Sequence, residues 1–173
     1  MMGHAVAEFR PLNIAILTIS DTRDESSDRS GAYLVESLQQ EGHLLADKKI
    51  VQDDIYQIRA QVSQWIADPE VQAVIMTGGT GLTGRDRTPE AVSVLFDQTI
   101  EGFGELFRAI SFEEIGCSTI QSRAIGGFAN KTLLFCLPGS QGACRTGWTR
   151  ILRDQLDARH KPCNFVPFVC SEV

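Results

Sequence analysis

The stretch TGGTGLTGRDRTPEA, residues 77–91, gathers groups that could act on a phosphate. Gly78, Gly79 and Gly81 tolerate positive φ, so the backbone there can turn several N–H groups toward one point. Such a concavity suits an anion, and each charge-assisted hydrogen bond in it contributes on the order of 1.5–3 kcal/mol. Arg85 and Asp86 follow at once. Alone, Asp86 would repel a bare phosphate. A magnesium ion between them reconciles the two, because magnesium commonly takes one or two carboxylates together with phosphate oxygens. The plainer alternative is a glycine turn with Asp86 in water.

Two well-known phosphate motifs can be set aside. Residues 79–84 spell G-x-G-x-x-G, the dinucleotide fingerprint, but that fingerprint opens its helix within the glycine pattern. Here Arg85-Asp86-Arg87 comes next, and the helix signal begins only at Thr88-Pro89. Asp97 and Glu101 stand near the spacing of the ribose-binding acid, yet a helix end surrounds them. The same residues match the glycine frame of a P-loop, which needs Lys and then Ser or Thr after its last glycine. This chain has Arg85-Asp86 instead.

The flanking elements must hold this loop in place. Residues 12–19 (LNIAILTI) form a continuous apolar run, as in a strand buried on both faces. A polar loop ends at Arg29, and Ser30 is expected to cap a helix that carries Tyr33, Leu34 and Leu38 and closes at Gly42. Residues 44–51 read as a weaker strand. Asp54 and Gln57 have capping-box spacing ahead of a helix with Ile55, Ile58, Val62, Trp65 and Ile66 on one stripe. Residues 71–76 are a strand that runs into the glycine loop, after which Thr88 should cap a helix with Pro89 at its first position.

A helix over 104–115 and a strand over 131–137 come next. Pro138-Gly139 breaks that strand, and Ser140 can cap a last helix with Cys144, Trp148, Ile151, Leu152 and Leu156 facing inward. Residues from 161 on are expected to be irregular or an edge segment. Alternating strands and helices predict an α/β fold with a mostly parallel sheet and helices on both sides. Such folds bind ligands at the C-terminal ends of their strands. Polar loops over residues 20–29, 77–87 and 138–142 sit at such ends.

Bulk properties narrow the functional classes. A chain of 173 residues favours one domain, with a core over about 12–160 and peripheral tails at 1–11 and 161–173. A formal net charge of −6 argues against nucleic acid or an anionic membrane as partner. No apolar run approaches the ~20 residues of a membrane span, and no secretory leader is evident, so a cytoplasmic location is expected. Cys117, Cys136, Cys144, Cys163 and Cys170 include no C-x-x-C pair and read as reduced thiols. His4, His43 and His160 are scattered without metal-binding spacing.

The glycine motif, with Arg85-Asp86 and Thr88-Pro89-Glu90-Ala91, resembles the signature of the MogA/MoaB molybdenum cofactor biosynthesis family, which includes the G domains of gephyrin and its plant counterpart. Further landmarks fall in order: Ser20-Asp21 after the first strand, Asp28-Arg29-Ser30-Gly31, Gly102-Phe103-Gly104-Glu105, Ser122-Arg123, and Leu137-Pro138-Gly139-Ser140. The resemblance spans roughly residues 12–160. SFEEIG at 111–116 and LDARHKPCNF at 156–165 resemble the MoaB branch most.

The resemblance implies a three-layer αβα sandwich, assembly into trimers or hexamers, and contact with other proteins of the same pathway. It implies binding of molybdopterin, a pterin with a dithiolene and a terminal phosphate, and transfer of AMP to that phosphate from ATP with magnesium. A second outcome in the MoaB branch is binding of molybdopterin or its precursor without transfer, which accompanies loss of the Arg-Asp pair; this chain keeps Arg85-Asp86. A generic nucleotide-binding α/β protein is the third alternative.

Asp86 matches the family's acidic catalytic position, and Asp53 a second one; both are expected to hold magnesium. Asp54 fits the helix cap better, which leaves Asp53 free. Substrate and phosphate binding would fall on Thr77, Gly78, Gly79, Thr80 and Gly81, with Arg85 beside them. Ser20, Asp21, Ser122, Pro138, Gly139 and Ser140 would complete the pocket. Ser140 could equally serve only as a cap, and Arg85 and Arg123 only in surface ion pairs. Gln141 and Gln52 stand where many active relatives have proline, and Glu101 replaces the first proline of P-G-F-G-E; these departures bear on the pocket's shape.

Overall fold

The computed structural model describes residues 7–170. The expectations for residues 1–6, His4 among them, and for 171–173 lie outside the described residues. Strand β1 (Asn13–Ile19) leads through helix α1 (Arg29–Gln40) to β2 (Leu44–Val51), and α2 (Ile55–Ala67) carries the chain to β3 (Ala73–Thr77). Helix α3 (Thr88–Ser93), the short β4 (Gln98–Thr99) and α4 (Glu101–Ile115) follow. A 3-10 turn (Gly116–Gln121) precedes β5 (Ile125–Ala129) and β6 (Thr132–Leu137). Helix α5 (Gln141–Gly147) continues through a π-helical stretch (Trp148–Leu152) into α6 (Arg153–Gln155), and α7 (Val166–Val169) comes last.

The six strands form one sheet in the order β2-β1-β3-β6-β5-β4. β2, β1, β3 and β6 are mutually parallel, and β5 runs against both of its neighbours. Period-2 alternation divides the buried strands between two cores. Ile14 and Ile16 of β1, Ile75 of β3 and Phe135 of β6 face α1, α4 and α5. Leu17, Met76 and Leu134 face α2 and α3. This is the expected α/β architecture of three layers, and it explains why β1 and β3 read as unbroken apolar runs.

Several local expectations hold. Asp54 caps α2, its Oδ1 accepting the N–H groups of Tyr56 and Gln57 at 3.0 and 2.9 Å. Ser140 caps α5 by accepting the Ala143 N–H at 3.1 Å. Others are corrected. Asp28, not Ser30, caps α1: its Oδ1 accepts the Gly31 N–H, and Ser30 Oγ instead donates to the Gly139 carbonyl at 2.8 Å. Thr88 is the first residue of α3 rather than its cap, because its hydroxyl donates to the Gly78 carbonyl. The segment after residue 161 is not peripheral throughout: α7 places Val166 and Val169 in the core of the α1 side. The β5–β6 hairpin was not anticipated. Its two-residue turn, Asn130-Lys131, has φ of 47° and 64°, the pattern of a type I′ turn.

β1 connects outward to β2, while β3 lies on its other side and pairs with β6. The chain therefore reverses its winding beside β1. Ligand sites in open parallel sheets form at such switch points, beyond the C-terminal strand ends.

Candidate active site

Beyond the C-terminal ends of β1, β2, β3 and β6 lies a cleft of about 830 Å³. Ser20 and Asp21 enter it from β1, and Asp53 from the turn after β2. Thr77, Gly78, Gly79, Thr80 and Gly81 line it after β3, with Arg85 and Asp86 farther along the same loop. Pro138, Gly139 and Ser140 enter after β6, and Ser122 from the segment before β5. All of these positions were named from the sequence.

The glycines are required by close approach. Gly78 and Gly79 have φ of +108° and +64°. A Cβ on Gly78 would lie 2.2 Å from the Ile19 carbonyl oxygen, and one on Gly79 would lie 2.2 Å from Thr88 Oγ1 and 2.8 Å from Asp53 Oδ2. The loop thus packs directly against β1 and against the carboxylate of Asp53. Gly139 is less tightly confined: its Cβ would be 3.3 Å from the Gly78 Cα.

Fewer N–H groups are open in the amide concavity than the glycine motif predicts. Gly78 donates to the Leu137 carbonyl at 3.0 Å, which ties the loop to β6 and removes that donor. The Gly81 N–H helps hold the Asp86 carboxylate. Among the described residues, the N–H groups of Gly79 and Thr80 have no protein acceptor. Arg123 braces the loop from behind. Its Nε donates to the Gly81 carbonyl at 2.8 Å, its Nη2 to the Asp86 carbonyl at 2.6 Å, and it pairs with Glu90. It therefore positions the loop instead of reaching toward the cleft.

Three carboxylates share this end of the cleft. Asp53 is only 9% exposed, and burial pushes its pKa up. The Arg87 N–H on its Oδ1 opposes that rise, while the nearby Asp86 and Asp21 carboxylates add to it. Hydrogen bonding from Thr83 holds Asp86 below the ordinary range, with Gly81 and Arg123 contributing. Asp21 is also lowered, first by Arg85 and then by the Asp53 N–H. Arg85 grips Asp21 in a two-pronged contact, Nε to Oδ2 at 3.0 Å and Nη2 to Oδ1 at 2.6 Å, across the exposed rim. So Arg85 engages a carboxylate here.

Among the described residues, no three His, Cys, Asp or Glu side chains come together as a metal-binding group. Protein ligands alone do not complete a metal site. The carboxylates of Asp53 and Asp86, both lining the cleft, fit magnesium that arrives with phosphate oxygens, since magnesium keeps most of its other ligands as water or phosphate. The raised Asp53 fits as well: a carboxylate crowded by two others is relieved by a cation.

The sequence reading missed one wall. Arg23 enters the cleft and donates to the Gly139 carbonyl and to Ser30 Oγ, both at 3.2 Å. Phe107, Ser111, Glu114 and Ile115 of α4, with Thr146 of α5, form the side away from the glycine loop. A signal existed: Ser111 and Glu114 share the helical face of core residue Phe107, an unusual place for polar side chains. Gln141, where relatives have proline, occupies the first turn of α5 after the Ser140 cap. Proline is also accommodated there, so the exchange leaves the local backbone in place.

Comparison with known proteins places these features in context. Residues 15–158 match the family described as "Probable molybdopterin binding domain". The chain is 58% identical over 166 residues to molybdenum cofactor biosynthesis protein B of Escherichia coli K12, covering 96% of this chain and 98% of that protein. It is 46% identical over 142 residues to the protein of the same name from Bacillus cereus, covering 82% and 84% respectively. A crystal structure of a molybdenum cofactor biosynthesis protein B superposes with a TM-score of 0.83 at 44% identity, covering 85% of this chain and 92% of that one. The tungsten cofactor synthesizing protein MoaB of Pyrococcus furiosus gives 0.74 at 35% identity, covering 82% and 91%.

Proposed function

The chain belongs to the MoaB/MogA family of molybdenum cofactor biosynthesis proteins, and from that premise we propose that it adenylylates molybdopterin with ATP and magnesium. The observation that carries the reading is the meeting of Asp53 and Asp86 with the open N–H groups of Gly79 and Thr80 in one cleft. The cleft lining carries the carboxylates of Asp21, Asp53, Asp86 and Glu114 against only two guanidiniums, Arg23 and Arg85. A cation bound with the polyphosphate offsets that negative lining.

An oxygen of the molybdopterin phosphate attacks the α-phosphorus of ATP, the bond from that phosphorus to the bridging oxygen breaks, and pyrophosphate leaves. Such a transfer depends on positioning and charge neutralisation more than on covalent work by the protein. Magnesium bound with ATP neutralises charge on the phosphates. Asp53 and Asp86 would hold it, and the Gly79 and Thr80 amides would bind phosphate oxygens. Arg23, Ser20 and Ser140 also line the cleft and are available to the second anion. Arg85 lies on the exposed rim beside the phosphate site, and a phosphate that competes with Asp21 for it must replace both prongs of that contact.

The reading includes self-association into a trimer or hexamer. Phe112, Ile115 and Ile120, on α4 and the turn after it, are 56%, 55% and 82% exposed, which suits a covered face. Light scattering on the purified chain tests this, and a monomer at micromolar concentration refutes it. Among the described residues, no helix is long and apolar enough to cross a membrane.

Incubation of the purified protein with molybdopterin and ATP, with and without magnesium, tests the activity. Magnesium-dependent appearance of adenylylated molybdopterin and pyrophosphate is the expected result. Tight molybdopterin binding with no pyrophosphate would make the protein a carrier, and no binding would remove the molybdopterin reading altogether.

A further inference from the structure

The end of the cleft away from the glycine loop is built from one helical face. Phe107, Ser111 and Glu114 recur at intervals of four and three, so they lie on one side of α4. Ser111 is buried, and Phe107 is fully within the core. Glu114 extends that face into the cleft, where Thr146 Oγ1 of α5 lies 3.0 Å from each of its carboxylate oxygens. Among the described residues, no lysine or arginine pairs with Glu114. Its neighbour Glu113, by contrast, pairs with Arg150. Glu114 is therefore a carboxylate held in place by a neutral hydroxyl, with acceptor capacity left over.

A second observation points to the same wall. Ser122 Oγ lines the cleft, is buried, and has no hydrogen-bond partner among the described residues. Leaving a buried hydroxyl unsatisfied costs about 1–3 kcal/mol, a cost removed when a ligand supplies the partner. Phe107 and Ile115 contribute apolar surface beside these polar groups. Apolar walls with a few convergent polar atoms are what a flat heterocycle requires.

We propose that Glu114 reads the pyrimidine edge of the pterin. The 2-amino group and the adjacent N3–H of a pterin are two parallel donors, and a carboxylate accepts such a pair as it accepts the fork of a guanidinium. Thr146 positions the carboxylate, and Ser122 Oγ gains a partner on the ring. The assignment rests on the reading that a pterin occupies this cleft. It makes Glu114 the residue that distinguishes pterins from lumazines, whose 2-carbonyl turns one donor into an acceptor facing the carboxylate. Glu114 is itself exposed, and a pterin seated against Phe107 and Ile115 would enclose the pairing edge, so that an analogue unable to complete the pairing is rejected.

Fluorescence titration of the full chain with 6-hydroxymethylpterin and with 6-hydroxymethyllumazine tests this directly. Wild type is expected to bind the pterin at least ~10-fold more tightly than the lumazine, the scale of one charge-assisted hydrogen bond. Glu114→Gln should lose about 10–100-fold in pterin affinity and most of that preference, while magnesium-ATP binding is unchanged. Thr146→Val should weaken pterin binding by less. A Glu114→Gln protein with wild-type pterin affinity would overturn the Glu114 assignment and leave the adenylylation reading standing. A wild-type protein that binds pterin no better than lumazine would overturn it too. Failure of wild type to bind either the probe or molybdopterin would overturn both.

Discussion

Replacing Gly79 with alanine tests whether the glycine loop is shaped by the site around it. Gly79 sits at φ +64°, where a side-chain-bearing residue costs about 1–2 kcal/mol. The new methyl would meet Thr88 Oγ1 at 2.2 Å and Asp53 Oδ2 at 2.8 Å, so both neighbours must shift. Thr88 donates to the Gly78 carbonyl at 2.9 Å, and moving it forfeits a buried hydrogen bond of about 1 kcal/mol. Overpacking adds roughly 1–3 kcal/mol, for a total of about 3–6 kcal/mol. In a chain of this length that lowers the melting temperature by roughly 6–24 °C. Gly84 is the control, because a Cβ there meets nothing within 4 Å; Gly84→Ala should change stability by no more than about 0.5 kcal/mol. Gly81 is intermediate. Its Cβ would meet only the Asp86 carboxylate, at 2.7 Å, so Gly81→Ala should displace Asp86 and reduce turnover more than stability. Urea and thermal unfolding of the three variants decide the matter. A Gly79→Ala protein as stable as Gly84→Ala would refute the reasoning.

Other consequences follow from the same geometry. Arg123→Lys keeps a charge but cannot hold the Gly81 and Asp86 carbonyls together with Glu90, so stability in urea should fall by about 1–3 kcal/mol; no loss would show that the loop holds itself. Asp53 must be ionised to hold magnesium, and its pKa is raised, chiefly by burial, so magnesium-ATP affinity should keep rising with pH beyond the ordinary aspartate range. Calorimetric titrations across pH 4–7, with Asp53→Asn flattening that rise, check it. For stability the sign is opposite. A raised carboxyl favours the folded state below the unfolded value near 3.8 and loses that contribution as pH climbs through the folded one. His43 is buried, its Nδ1 accepts the Leu12 N–H at 3.2 Å, and burial lowers its pKa. Its neutral form is therefore favoured by folding, and the melting temperature should fall as pH drops below about 6.5, an effect that His43→Gln should reduce.

What the sequence disclosed and what it concealed have physical causes. β1 and β3 are buried on both faces, so their apolar runs carry an unambiguous signal. β6 shares that signal, but its hairpin partner β5 does not. Gly126 and Gly127 interrupt β5 because Phe103 and Phe96 pack where their side chains would stand, and Asn-Lys replaces the usual Asn-Gly in the turn. Caps were misassigned by one or two residues where two hydroxyl or carboxylate candidates stood together, as at Asp28 and Ser30. The phosphate end of the cleft was legible because chemistry there lies in contiguous loops. Its other wall comes from one face of α4, and a polar face on a helix is read as solvent-facing until the packing around Phe107 is known.

Pyrophosphate release by wild type and Asp86→Asn, at saturating molybdopterin, ATP and magnesium, tests the central claim most directly. Asparagine still accepts the Thr83 N–H through its amide oxygen, so the fold and molybdopterin binding should persist. The rate should fall at least ~100-fold, comparable to loss of a key electrostatic group. Equal rates for the two proteins would contradict the account.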